Sequence, residues 1–258
     1  MAETGNTDGQ IATNLRLLVL VEVVAEAGVP LVPSVINERL GLPKPTLHRL
    51  LATAEAEGLL QRDIDGRSFG PGPRLRSLAV ATLSSSRIRA VRIAILKALS
   101  DKVGETCNLA IPDREGMIYL DRVETQWPLR IQLPVGTQVP FHCTASGKMY
   151  LSSLRKDYLD RFLKHSPLTA ATGRTITQAP DLRRALDVIR SRGYATDDEE
   201  FMDGMVAVAV PVLDSRQRLI STLSIHAPVQ RHSVAALEAY LDPLRSAAAD
   251  LSACMEGA

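Results

Sequence analysis

The chain has 258 residues, 45% of them hydrophobic but only 4% aromatic, and a formal net charge of +1 at pH 7. That length exceeds a lone DNA-binding module and fits one small plus one medium domain, each with an aliphatic core. The near-neutral charge excludes a global basic field, and the three cysteines lack the CxxC spacing of a zinc finger or the numbers of a disulfide framework.

No apolar run is long enough for a membrane span, and the polar stretch 1–10 lacks a signal-peptide core, so a cytoplasmic location is expected. Residues 1–12 read as a flexible arm. From Asn14, Leu15, Leu18, Val19, Val23 and Val24 recur at helical spacing and end at Gly28-Val29-Pro30. A second helix is predicted over Pro33–Leu40, closed by Gly41.

Pro43 and Pro45 then flank Lys44 and fit only a helix entrance, since an interior proline costs about 3 kcal/mol. The third helix carries Lys44, Thr46, His48 and Arg49 beside an apolar stripe of Leu47, Leu50 and Leu51, and is expected to stop at Gly58. Two short helices joined by such a turn make a helix-turn-helix, whose second helix can enter a DNA major groove. Leu59–Arg62 and Arg67–Gly70 around Asp65-Gly66 read as a hairpin, completing a winged helix-turn-helix over residues 13–72, with Arg62 and Arg67 placed to meet phosphates. Residues 44–76 hold six basic against four acidic side chains, a weak patch by itself.

Residues 73–88 are expected to form a linker helix within a helical stretch reaching Val103, with a joint at Ser84–Ser86. Its arginines, Arg74, Arg76, Arg87, Arg89 and Arg92, read as a solvated face. The second domain is expected over 89–258. Strands are predicted at Cys107–Ile111, Met117–Val123, Leu129–Leu133, Met205–Leu213 and Leu219–Ile225. Helices are predicted at Ala145–Leu154, Lys156–Phe162, Asp181–Ser191 and Ser233–Cys254. An antiparallel sheet with helices to one side makes this domain α+β.

Several motifs in this order resemble the IclR family of bacterial transcription regulators: Gly-Leu-Pro-Lys-Pro-Thr-Leu-His-Arg-Leu-Leu (41–51), Tyr-Leu-Asp-Arg-Val-Glu (119–124), Leu-Pro-Val-Gly (133–136), His-Cys-Thr-Ala-Ser-Gly-Lys (142–148), Arg-Gly-Tyr-Ala-Thr-Asp-Asp-Glu-Glu (192–200) and Val-Ala-Val-Pro-Val (208–212). The resemblance spans about Asn14–Leu251. It implies a winged helix-turn-helix, a linker helix and a GAF-like domain that binds a small metabolite, in homodimers that often pair into homotetramers on operator DNA. No cofactor is implied. Pro45 departs from the family's usual serine, removing a hydroxyl and an N–H.

For DNA, the resemblance points to Lys44, Thr46, His48, Arg49, Arg62 and Arg67. Arginine and lysine suit guanine edges or phosphate, and threonine and histidine suit either; a surface ion pair is the other reading of Arg67. For the effector, position-by-position transfer gives Ala145 and Ser146 at a helix start, where free N–H groups and the dipole favour an anion. Asp197, Ala207, Ser224 and His226 match polar-pocket positions, and Ile131, Val139 and Met205 the apolar wall.

Ala207 and His226 replace a cysteine and a serine of the family's keto-acid binders, and His226 adds a donor that can charge near neutral pH. With Trp127 near the wall, a small or aromatic carboxylate larger than a two- or three-carbon keto acid is expected. Other readings stay open: His226 as a core or rim histidine, Asp197 as part of a solvated acidic run, Ser224 as a satisfied sheet serine.

The alternative function is a small-molecule sensor or GAF-type enzyme without direct DNA binding. His142-Cys143 suggests a nucleophile pair, but adjacent residues in extended chain point to opposite faces. Gly147-Lys148 resembles the end of a phosphate-binding loop, yet the earlier glycine such a loop needs falls at His142. A non-enzymatic regulator, repressor or activator, is therefore expected.

Overall fold

The computed structural model describes residues 11–256 except 64, 84, 85, 114, 129, 131 and 132, and divides into two compact units, 1–83 and 84–258.

In the first unit the elements are α1 (Arg16–Ala27), α2 (Pro33–Leu40), α3 (Lys44–Ala56), β1 (Leu60–Arg62), β2 (Phe69–Pro71) and α4 (Pro73–Leu83). Leu20 and Val24, one turn apart on α1, meet Ile36 of α2, Leu47 and Leu51 of α3, and Phe69 in one buried cluster. Burying each such aliphatic side chain fully is worth about 1.5–3 kcal/mol. The α2–α3 turn is held twice. Gly41 takes the left-handed conformation at φ 60°, which a side chain would strain. Asn37 then imitates a strand partner: its Nδ2 donates to Leu42 O and its Oδ1 accepts from Leu42 N, both at 3.0 Å. The β1–β2 hairpin pairs Arg62 with Phe69, and Leu31 bridges to Phe69 from its far side.

In the second unit, α5 (Ser86–Val103) precedes β3 (Thr106–Pro112), β4 (Met117–Val123), β5 (Gln138–Val139), α6 (Ala145–Ser153), α7 (Lys156–His165), α8 (Ala179–Arg192), β6 (Ala195–Asp198), β7 (Met205–Leu213), β8 (Leu219–Pro228), α9 (Val234–Glu238) and α10 (Leu241–Glu256). The strands form one antiparallel sheet in the order β5-β4-β3-β8-β7-β6.

Helices cover both faces, not one. Ala110, Met117, Tyr119, Ala195, Ala207 and Ala209 face α6 and α8. The opposite residues of the same strands, including Asp121, face α5, with α10 packed beside it. Nearly continuous apolar runs such as Met205–Leu213 are buried on both sides for that reason.

Other expectations shift as well. The last helix is broken at Ala239-Tyr240 into α9 and α10. The strands β5 and β6 add to the predicted set, while three residues of the expected strand Leu129–Leu133 lie outside the described residues. The stretch read as linker is α4 in the first unit and the start of α5 in the second. Arg92 is not on a solvated face: its side chain is 0% exposed, and its Nε donates to Asp121 Oδ2 at 2.6 Å, with Arg89 Nε on the other oxygen at 3.2 Å. The side chain of Arg87 lies outside the described residues.

Candidate functional site

Two sites emerge, one in each unit. On α3 the apolar stripe turns inward, with Leu47 and Leu51 buried, which leaves Lys44, His48 and Arg49 exposed and Thr46 half-buried. The helix entrance has no side-chain cap, and Pro45 sits in its first turn. Asp65 organises the wing: its carboxylate accepts from the Arg67 and Ser68 amides at 2.8 Å and from the Ser68 hydroxyl. The Arg67 side chain stays exposed at the wing tip. Arg62 is more committed than expected. Its guanidinium donates to Glu55 Oε1 at 3.0 Å and Gly66 O at 3.1 Å and lies 4.7 Å from the Phe69 ring centre, bracing the wing on α3.

The second site lies between α6 and the sheet. Thr144 caps α6, accepting from Gly147 N at 3.0 Å and donating to Pro140 O at 2.7 Å. Gly147 is obligatory, since a Cβ there would stand 2.3 Å from Phe141 O. The amides of Ala145 and Ser146 belong to the first turn, where no carbonyl one turn back is within the helix. Both residues are buried.

Across the sheet, Asp197, Ala207 and His226 are direct register partners in one row, followed by Thr106. The next row on the same face is Ala195, Ala209, Ser224, Asn108 and Arg122. Alanines form the floor, with polar side chains on either side. Val139 and Met205 are buried, and Val139 packs in the cluster beneath α6 and α8. Ile131 lies outside the described residues. Trp127 is elsewhere: it is 55% exposed, beside Arg231, in a hollow it shares with Lys97 and Ser100 of α5.

The electrostatics correct two expectations. Asp197 is not in a solvated run; it is fully buried, and desolvation, opposed by Lys148, pushes its carboxyl up to about 7. Its Oδ1 accepts from Glu200 N at 2.8 Å and Phe201 N at 3.3 Å. His226 does not charge near neutrality, because burial, reinforced by the Arg122 charge, lowers it to about 3. Its Nε2 lies 3.0 Å from Ser224 Oγ. Lys148 donates to Glu200 in a buried ion pair beside Asp197. Burial and Asp197 push the Cys143 thiol up to about 12, which removes the thiolate a nucleophile needs.

Five buried polar atoms on this side have no hydrogen-bond partner among the described residues: Asn108 Nδ2, Ser146 Oγ, Asp197 Oδ2, Glu200 Oε2 and His226 Nδ1. Each such atom costs about 1–3 kcal/mol if left unmet, so their gathering on one face marks a place for a polar ligand. Sequence reasoning missed Asn108, Arg122, Lys148 and Glu200 as members. Arg122, Lys148 and Glu200 each had a local signal, lying within the 119–124, 142–148 and 192–200 motifs, and Asn108 had none. Among the described residues no three His, Cys, Asp or Glu side chains group to hold a metal, and no helix is long and apolar enough to cross a membrane.

Comparison with known proteins agrees with both units. The family described as "IclR helix-turn-helix domain" matches residues 15–63, and "Bacterial transcriptional regulator IclR C-terminal" matches 80–253. A probable transcriptional regulator, SauR, of Cupriavidus necator is 39% identical, over 93% of this chain and 95% of its own length. The transcriptional repressor IclR of Escherichia coli is 29% identical over 88% of this chain and 84% of its own. Among solved structures, an IclR homolog of Microbacterium hydrocarbonoxydans complexed with 4-hydroxybenzoate aligns with a TM-score of 0.61 at 25% identity, covering 96% of this chain and 100% of that one.

Proposed function

This chain belongs to the IclR family of transcriptional regulators, and from that premise we propose that it reads operator DNA through α3 and the wing under control of a small carboxylate bound between α6 and the sheet. The observation that carries the DNA reading is the face of α3. Lys44, His48 and Arg49 are exposed on it, over a buried Leu47–Leu51 stripe. Those side chains suit base edges and phosphates, and Arg67 suits a flanking phosphate. Arg62 acts mainly by holding the wing to Glu55. With only a weakly basic surround, affinity comes from specific contacts and from two copies engaging two half-sites, so the working form is a homodimer, or a homotetramer on DNA.

For the effector, the first-turn amides of α6, Ser146 Oγ and a protonated Asp197 supply donors to a carboxylate, while Ala207, Val139 and Met205 shape its surroundings. The homologue seen with 4-hydroxybenzoate supports an acid of about that size as the kind of molecule taken here. Binding reshapes the second unit, and the helical stretch from Pro73 resets the spacing of paired recognition helices in the cytoplasm. That coupling requires different effector affinities in the two arrangements.

A mobility-shift assay on the DNA upstream of the protein's own gene tests the DNA reading. The wild-type chain is expected to shift it in a salt-dependent way. Arg49→Ala weakens binding about 5- to 150-fold, for the loss of a contact worth about 1–3 kcal/mol. Arg184→Ala, on the exposed face of α8, serves as the unaffected control. Equal binding by all three would refute it.

A further inference from the structure

The site proposed above uses the α6 entrance and Asp197, but it leaves Asn108, Arg122 and the free nitrogen of His226 without a role. They form a second group of polar atoms. Asn108 and Arg122 are register partners, and Arg122 donates to Asn108 Oδ1 at 2.9 Å. That bond fixes the amide so that Nδ2, which has no partner, is the atom left over. Arg122 also donates to Glu124 Oε1 at 3.1 Å, and its side chain is 4% exposed. Asn108 pairs with Ser224, whose hydroxyl engages His226 Nε2 and so leaves Nδ1 as that ring's unpartnered atom. Tyr119 packs edge-on against the His226 ring, fixing its plane. Asn108, Ser224, His226 and Tyr119 are buried on the α6 side of the sheet.

The two stations are set apart by the sheet itself. Asp197 and His226 are two strands apart in one row, with only the methyl of Ala207 between them. At strand spacings of about 4.8 Å the backbone of Asp197 stands about 10 Å from that of His226 and about 14 Å from the strand of Asn108, and side chains reaching inward from both ends leave a span for about four to six linked atoms. At the Asp197 end stand the helix amides and Ser146 Oγ. At the other stand an amide donor and an imidazole nitrogen, in the field of the Arg122 guanidinium that Glu124 and Asn108 engage, and that field favours an acceptor carrying negative charge.

We propose that the effector of this chain is a compact dianion, with one acid group at the α6 entrance and a second acid group held by Asn108, Arg122 and His226. This rests on the effector site being where the preceding section puts it. A monoacid fills the first station and leaves Asn108 Nδ2 and His226 Nδ1 unmet. A diacid satisfies both, and the alanine floor accommodates the short chain joining its ends.

Isothermal titration calorimetry on the full chain tests this with succinate, glutarate and adipate against butyrate, pentanoate and hexanoate. The best diacid is expected to bind about tenfold to a hundredfold more tightly than its monoacid of equal length, as for one hydrogen-bonded charged group. Asn108→Asp is isosteric and keeps the oxygen that Arg122 grips while turning the free donor into an acceptor. It should erase that preference, read as the ratio of diacid to monoacid affinity. Arg122→Gln, with its fold checked by circular dichroism, should do the same.

Monoacids binding as tightly as diacids, or a preference that survives Asn108→Asp, would overturn the proposal. Ser146→Ala and Asp197→Ala separate the two levels. If they weaken both series while Asn108→Asp changes nothing, the effector site stands and the dianion fails. If they weaken neither, or if no acid of either series binds, the site reading fails and the proposal with it.

Discussion

Replacing Asp197 by asparagine tests the electrostatics of the second site without changing its shape. Buried Asp197 has its carboxyl raised from 3.8 to about 7, a difference of roughly three pH units and so a ceiling of about 4 kcal/mol. Between those two pH values the folded chain holds a proton that the unfolded chain has lost. The stability Asp197 contributes is therefore present below pH 4 and declines as pH rises through 7. His226 acts in the opposite sense, since its lowered value makes the folded state lose stability on acidification from about 6.5 towards 3. It is present in both proteins, so the comparison cancels it.

Urea unfolding followed through the single tryptophan, Trp127, reports on the second unit, where that residue lies. The stability of Asp197→Asn relative to wild type should rise by up to about 4 kcal/mol from pH 4 to pH 8. A difference that stays flat, or that falls with pH, would mean that Lys148 holds Asp197 ionised and would refute the argument.

Asp121→Ala leaves buried Arg92 without its carboxylate and should cost the second unit about 3–5 kcal/mol, read as a fall in its urea midpoint. Gly147→Ala drives a Cβ to 2.3 Å from Phe141 O, so the second unit should lose its cooperative melt by calorimetry while the first keeps its own. Arg67→Ala, at an exposed wing position, should lower the salt dependence of DNA binding by about one counterion in an anisotropy titration. Arg62→Ala should instead lower the melting temperature of the first unit, because it removes the brace to Glu55 and Gly66.

Much of the first unit is legible in its sequence because its signals are local. Gly41, Pro43, Pro45 and the leucine spacing define the α2–α3 turn within a dozen residues, although the Asn37 clamp on Leu42 emerges only in three dimensions. The second unit is less legible where its structure depends on distant partners. Arg92 looks like surface charge until Asp121, 29 residues on, arrives beside it. Lys148 and Glu200 are separated by 52 residues, and no spacing rule joins them.

β6 carries Ala-Thr-Asp-Asp, which reads as an acidic turn, yet pairing with β7 buries Asp197. Helices are expected on one side of the sheet only, although a local signal for both faces is present. A strand such as Met205–Leu213, apolar at nearly every position, has no water-facing side. Asn108 and Arg122 come side by side only when β3 and β4 align, so alternation along either strand alone could not single them out.

The central claim is that the second unit controls the DNA affinity of the first. Its most direct test is the dissociation constant for the upstream DNA, measured by anisotropy with and without a saturating acid from a panel of acetate to adipate and benzoate to 4-hydroxybenzoate. At least one acid should shift that constant about 5- to 150-fold in the wild-type chain, and should lose the effect in Asp197→Ala, which removes the donor. If every acid leaves the constant unchanged, or if the variant responds as the wild type does, the coupling is contradicted.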